Sequence, residues 1–135
     1  KHRREHVSLV FQDHNLIDYL TPEENLRLVN PKADMKILED LGLSREESKR
    51  NIMHLSGGQR QRVAVGRALV APGRAILADE PTGSLDPEMT DEVIDLLRHA
   101  AHQLGKCVIV VTHSKRVADS ADAVYTLRHK KLAKA

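Results

Sequence analysis

Two carboxylates at adjacent positions, Asp79 and Glu80, close the apolar run Ala75-Ile76-Leu77-Ala78. An acid at a strand tip can hold Mg²⁺ through water, and the acid after it is placed to orient or deprotonate an attacking water. A lone Asp at a strand end is an ordinary turn former. Here Glu follows at once, and Pro81-Thr82-Gly83-Ser84-Leu85-Asp86 continues the segment. A second segment, Leu55-Ser56-Gly57-Gly58-Gln59, runs into Arg60-Gln61-Arg62-Val63-Ala64. Two glycines let a ligand approach the backbone closely, and free amides with the positive end of a helix dipole favour an anion there. Ser56 can cap that helix or donate to a phosphate oxygen, although Ser-Gly-Gly alone is also a common loop-to-helix junction. Gln12 and His113 follow the apolar runs at Val7 and Val108. Taken singly, Gln12 carries no functional weight and His113 reads as a capping or surface histidine. Arg60 and Arg62 read as solvated or packed side chains.

The elements that must position these groups are legible as patterns. Continuous apolar runs at Val7 to Phe11, Ala75 to Ala78, Val108 to Thr112 and Ala123 to Leu127 predict strands buried on both faces of a parallel sheet. Thr21-Pro22-Glu23-Glu24 and Ser44-Arg45-Glu46-Glu47 have capping-box spacing. Asp86-Pro87 opens a helix with apolar positions Met89, Val93, Leu96, Leu97, Ala100 and Leu104. Strands alternating with helices imply a layered α/β architecture, and Leu16 to His54, with helical signals and no convincing strand, reads as a separate helical lobe.

The chain has 135 residues, 41% apolar and 30% charged, which suits one folded domain and excludes a disordered chain. A net charge of +2 and three aromatic residues argue against nucleic acid as a partner. The single cysteine, Cys107, rules out an internal disulfide and suits a reducing compartment. No apolar run approaches the roughly 18 residues of a membrane helix.

In order along the chain, these residues resemble the ABC ATPase family. Leu55 to Gln59 match its signature motif, and Ile76-Leu77-Ala78-Asp79-Glu80 resembles its Walker B segment. Val10-Phe11-Gln12 looks like its glutamine loop, Ser84-Leu85-Asp86 like the loop facing the opposite subunit, and Val110-Val111-Thr112-His113 like its switch. The resemblance implies ATP and Mg²⁺ as cofactors, with Glu80 the catalytic carboxylate and His113 touching the γ-phosphate. It implies Asp79 and Gln12 at the metal, and Gln12, Leu55, Ser56, Gly57, Gly58, Gln59 and Asp86 at the nucleotide. It further implies an α/β fold of the P-loop NTPase type, an incomplete parallel sheet with an inserted helical lobe. The partial ATPase core would comprise 1–13 and 72–135, and the helical subdomain 14–71, ending in the signature helix.

Implied partners are a second ATPase subunit, identical or not, and a transmembrane permease. The chain would then lie peripherally on the cytoplasmic face of the membrane. The Pro81 to Asp86 wording is similar to the branch exporting macrolides, antimicrobial peptides or lipoproteins. The short gap from Gln12 to Leu55 excludes the long coiled coil of DNA-repair relatives. A ribosome-associated ATPase, or a non-catalytic module made of the signature half alone, are the alternatives.

The family's phosphate loop, G-x-x-x-x-G-K-[ST], is not matched. The only Gly-Lys, Gly105-Lys106, has Ala100 and Cys107 where Gly and Ser or Thr belong, and it lies after a helix and before a strand. It reads as a helix-ending glycine. Because Lys1 falls where the family is in mid-domain, an amino-terminal portion carrying that loop is expected to be missing. By the resemblance, the strand leading into that loop stands between the strand ending at His113 and the one at 123–127. The strands at Val7, Ala75 and Val108 should therefore be neighbours in that order, and the slot beyond Val108 should be filled by another chain's strand, closed by a shift of the fourth strand onto Val108 to Thr112, or left to solvent. Arg128-His129-Lys130-Lys131 departs from the family, which usually has a glycine turn there.

Overall fold

The computed structural model describes residues 7–10 and 16–134. Three of the apolar runs form strands β1 (Val7–Val10), β2 (Ala75–Asp79) and β3 (Cys107–Val111), parallel and in the spatial order β1-β2-β3. Val7 pairs with Ala75 and Ala75 with Cys107; Val10 pairs with Ala78 and Ala78 with Val110. Parallel neighbours need long crossovers, and these carry the helices.

Between β1 and β2 lie α1 (Pro22–Val29), α2 (Lys36–Asp40), α3 (Arg45–Ser48), a 3₁₀ turn at Ile52–His54 and α4 (Gly57–Val70). The capping boxes form as spaced. Thr21 Oγ1 accepts from Glu24 N at 3.1 Å, and Ser44 Oγ accepts from Glu47 N at 3.0 Å. Helix α5 (Pro87–His102) crosses from β2 to β3, with Pro87 in its first turn and Asp86 as its cap. It ends before Leu104, which is exposed. Gly105 takes φ +68 where Lys106 N returns to Ala100 O at 3.0 Å, the helix-ending role its position predicts.

Helix α4 touches α1, α2, α5 and β1. Buried Leu26, Leu38, Leu41 and Ile52 of the lobe therefore join Val63, Val65, Ile76, Ala78 and Val93 in one apolar cluster. Gly66 permits a close approach, since a Cβ there would stand 2.8 Å from Leu41 Cδ1.

The sheet departs from the expectation of two covered faces. Val10, Ile76 and Ala78 are buried beneath α4 and α5. On the opposite face Leu77, Ile109 and Val111 are 39%, 54% and 55% exposed, because both crossover helices pack on the same side.

The fourth run does not shift onto β3: it lies outside this sheet and is not a buried parallel strand. β4 (Tyr125–Arg128) pairs antiparallel with β5 (Lys131–Lys134), and every residue of the hairpin is exposed. His129 and Lys130 both take positive φ, 50 and 64, the geometry of a two-residue hairpin turn. Without glycine there, the turn keeps the hairpin twist at the expense of two left-handed side-chain-bearing residues. Before it, α6 (Lys115–Asp119), capped by Ser114, is tied to α5 by two Arg116–Asp91 hydrogen bonds of 2.7 Å. Among the described residues, no helix is long and apolar enough to cross a membrane.

Candidate functional site

The carboxylates stand where β2 and β3 end. Asp79, the last residue of β2, pairs with Val111 and is exposed. Glu80 N donates to Val111 O at 2.8 Å, extending the ladder by one bond, and the chain then leaves the sheet through φ 49 at Glu80. A left-handed residue with a side chain costs about 1–2 kcal/mol and persists only where its surroundings fix it. Both carboxylate oxygens are fixed. His113 N donates to Oε1 at 2.8 Å, and Thr112 Oγ1 donates to Oε2 at 3.2 Å. Thr112 Oγ1 in turn accepts from Ser114 N at 2.9 Å. The Glu80 carboxylate, the Thr112 hydroxyl and the His113 amide thus form one cluster, with the exposed Asp79 beside it.

The second predicted segment forms the start of α4. Ser56 Oγ accepts from Gln59 N at 3.1 Å while Ser56 N donates to Gln59 Oε1 at 2.9 Å. This box uses two of the amides that lack intrahelical partners, leaving those of Gly57 and Gly58 in the first turn. Leu55 is buried in the core, so its side chain anchors the turn. Gln59 Nε2 donates to Glu47 Oε2 at 2.5 Å, joining the segment to α3. The Glu47 carboxyl is held below the usual range chiefly by the Ser44 backbone amide; burial opposes this, and the Gln59 hydrogen bond adds to the lowering. Arg62, read as solvated or packed, reaches Leu41 O at 3.1 Å and Gly58 O at 3.3 Å. Asp86 caps α5, its carboxylate accepting from Met89 N at 2.8 Å.

Among the described residues no hydrogen bond joins Ser56 or Gln59 directly to Asp79, Glu80 or His113. The link is Gln61, which the motif reading passed over. Its side chain is fully buried; Nε2 donates to Glu80 O at 2.7 Å, and Oε1 accepts from Ser84 N at 2.8 Å. A signal was available, because Gln61, Ala64, Val65 and Ala68 share the buried stripe of α4 at spacings of three, four and seven. An amide in an apolar stripe must find partners.

The donor chemistry fits Mg²⁺ arriving with a nucleotide. Among the described residues no three His, Cys, Asp or Glu gather as a self-sufficient metal site. Mg²⁺ normally takes one or two carboxylates and completes its shell with water and phosphate. Asp79 is open to serve, whereas the Glu80 carboxylate is engaged by β3. Gln12, the other expected metal residue, lies outside the described residues. Lys106 is not a phosphate lysine. Its Nζ donates to Ala71 O at 2.7 Å at the end of α4, and burial lowers its pKa.

Known proteins resemble this chain in sequence and fold. Residues 1–83 match the family described as ABC transporter. The lipoprotein-releasing system ATP-binding protein LolD of Rickettsia prowazekii is 41% identical over 135 residues, covering 92% of this chain and 60% of LolD. The uncharacterized ABC transporter ATP-binding protein YclH of Bacillus subtilis is 36% identical, covering 89% and 58%. The dimeric ATP-binding cassette MJ0796 bound to ADP and Pi superposes with a TM-score of 0.85 at 33% identity, covering 98% of this chain and 64% of that one. The chain therefore spans about three fifths of these relatives' length.

Proposed function

This chain belongs to the ABC transporter family, and from that membership we propose that it is the Walker B and signature portion of a cassette that hydrolyses ATP to power transport. The carrying observation is the Glu80 carboxylate, fixed between two strand ends beside an exposed Asp79. A carboxylate preset in this way can take a proton from a water in line with the γ-phosphate without reorganising first. Asp79, with Gln12, would hold Mg²⁺, whose charge would neutralise that of the phosphates. His113 itself carries the amide that fixes Glu80, so its exposed ring is held on the same strand end to contact the γ-phosphate.

The signature residues Ser56, Gly57, Gly58 and Gln59, set by Leu55, present open amides and a hydroxyl to the nucleotide of a second ATPase subunit. Asp86 shapes the loop facing that subunit. The dimeric state of the cassette MJ0796 supports this pairing. Two relatives, the lipoprotein-releasing system ATP-binding protein LolD and the macrolide export ATP-binding/permease protein MacB of Escherichia coli, support a permease partner and the export branch. Such a partner would hold the chain at the cytoplasmic face of the membrane. The division we propose is a partial core (1–13 and 72–135) and a helical subdomain (14–71). None of the 135 residues supplies a phosphate loop, so these residues by themselves are inactive.

Turnover in a complete cassette tests the reading. Glu80→Gln should lose about 10²–10⁴-fold in hydrolysis while still binding ATP. Near wild-type turnover in that variant would remove Glu80 as the base. Micromolar Mg-ATP affinity of the 135 residues alone would overturn the need for a separate phosphate loop.

A further inference from the structure

Glu80 has a left-handed backbone and lies at the hinge between a strand and a turn, so its carboxylate direction depends on what holds its peptide. On the strand side the hold is Val111 O, which accepts from Glu80 N. On the turn side Glu80 O accepts from Gly83 N at 3.2 Å and from Gln61 Nε2 at 2.7 Å. The same Gln61 amide accepts from Ser84 N at 2.8 Å, so one buried side chain spans the turn from Glu80 to Ser84. Ser84 O would lie 3.1 Å from a Cβ at Gly58, so the signature backbone is packed against the other end of that turn.

We propose that Gln61 is a positioning residue, a buried amide clamp that sets the Glu80 carboxylate and couples it to the position of the signature helix. The inference rests on the reading of Glu80 as the base. Gln61 sits one turn into α4, on the face opposite to solvent, and touches neither Asp79 nor His113 by any hydrogen bond among the described residues. A shift of α4 against the sheet would therefore reach Glu80 through Gln61 before it reached the metal residue. Because Gln59 and Gln61 belong to one helix turn, engagement of the signature and alignment of the base become one event.

The test uses the complete cassette, with kcat, KM for ATP and melting temperature recorded for Gln61→Met and Gln61→Glu. Gln61→Met removes both bonds at similar volume, and Gln61→Glu removes only the donor to Glu80 O. Both should lower kcat about 10–100-fold, the scale of a misplaced catalytic group, with KM changed less than about twofold. With Glu80→Gln present, the same changes should lower the residual rate no further. Wild-type kcat in either variant, or an equal fold loss on top of Glu80→Gln, would overturn the clamp. If Glu80→Gln itself turned over normally, the base reading would fail first and visibly. Should either substitution prevent folding, amide exchange in the unaltered cassette decides. Exposed Ser84 should have a protected N–H, and exchange at the rate of an open loop would sink the proposal.

Discussion

The backbone amide of His113 lies 2.8 Å from Glu80 Oε1, and through that bond the end of β3 holds a carboxylate belonging to β2. Two neighbouring parallel strands end at the same level, so residues 33 positions apart share a hydrogen bond that neither segment specifies. Thr112 completes the hold on the other oxygen.

Thr112→Val keeps the side-chain shape and removes that second donor. Ser114 N loses its acceptor as well. Stability should fall by about 1 kcal/mol, and turnover of the complete cassette by roughly tenfold. Stopped-flow hydrolysis with parallel urea denaturation gives both quantities. Unchanged turnover would show that the His113 amide alone orients Glu80.

Gly66→Ala should destabilise the fold by about 1 kcal/mol net. The new Cβ meets Leu41 Cδ1 at 2.8 Å in a fully buried position, and such overpacking costs roughly 1–3 kcal/mol against about 1 kcal/mol gained in helix propensity. Gly57→Ala, with open space around its Cβ, is the control and should stay within about 0.5 kcal/mol. Equal midpoints for the two variants would contradict the close helix packing.

Glu47 ties α3 to the signature helix through Gln59, and its folded pKa is depressed chiefly by the Ser44 amide. A depressed carboxyl pKa contributes stability that is full above the ordinary glutamate value and is lost as pH falls through the folded value. Wild type should therefore exceed Glu47→Gln in urea midpoint at about pH 7, with the difference shrinking by about pH 3. A difference that did not change with pH would mean the charge of Glu47 is not what stabilises the junction.

The hairpin turn should improve on substitution. His129→Asn with Lys130→Gly supplies the residues that a turn with two positive φ values prefers, relieving about 1 kcal/mol or more. Amide exchange along β4 and β5 should slow several-fold. Faster exchange would show that the original side chains hold the hairpin by contacts of their own.

The local sequence determined a great deal. Residue type and spacing alone placed the caps at Thr21 and Ser44, allowed one at Ser56, and placed the helix after Asp86-Pro87 and the segments of three strands. These depend on neighbours within a few positions, and all appear as spaced. The order of the chemical motifs also pointed to the family before any fold was known. Three things could not be read locally. The bare sheet face looked like buried strand because Leu77, Ile109 and Val111 are as apolar as their covered neighbours, and only the helices' choice of side separates them. The run at Ala123 resembled a core strand, yet its partner is the lysine-rich segment three residues beyond it. The bonds from Gln61 to Glu80 and Ser84, and from His113 to Glu80, span 19 to 33 positions. Such contacts depend on how a helix and two strands are stacked, and stacking is set by burial of the whole apolar cluster rather than by any one segment.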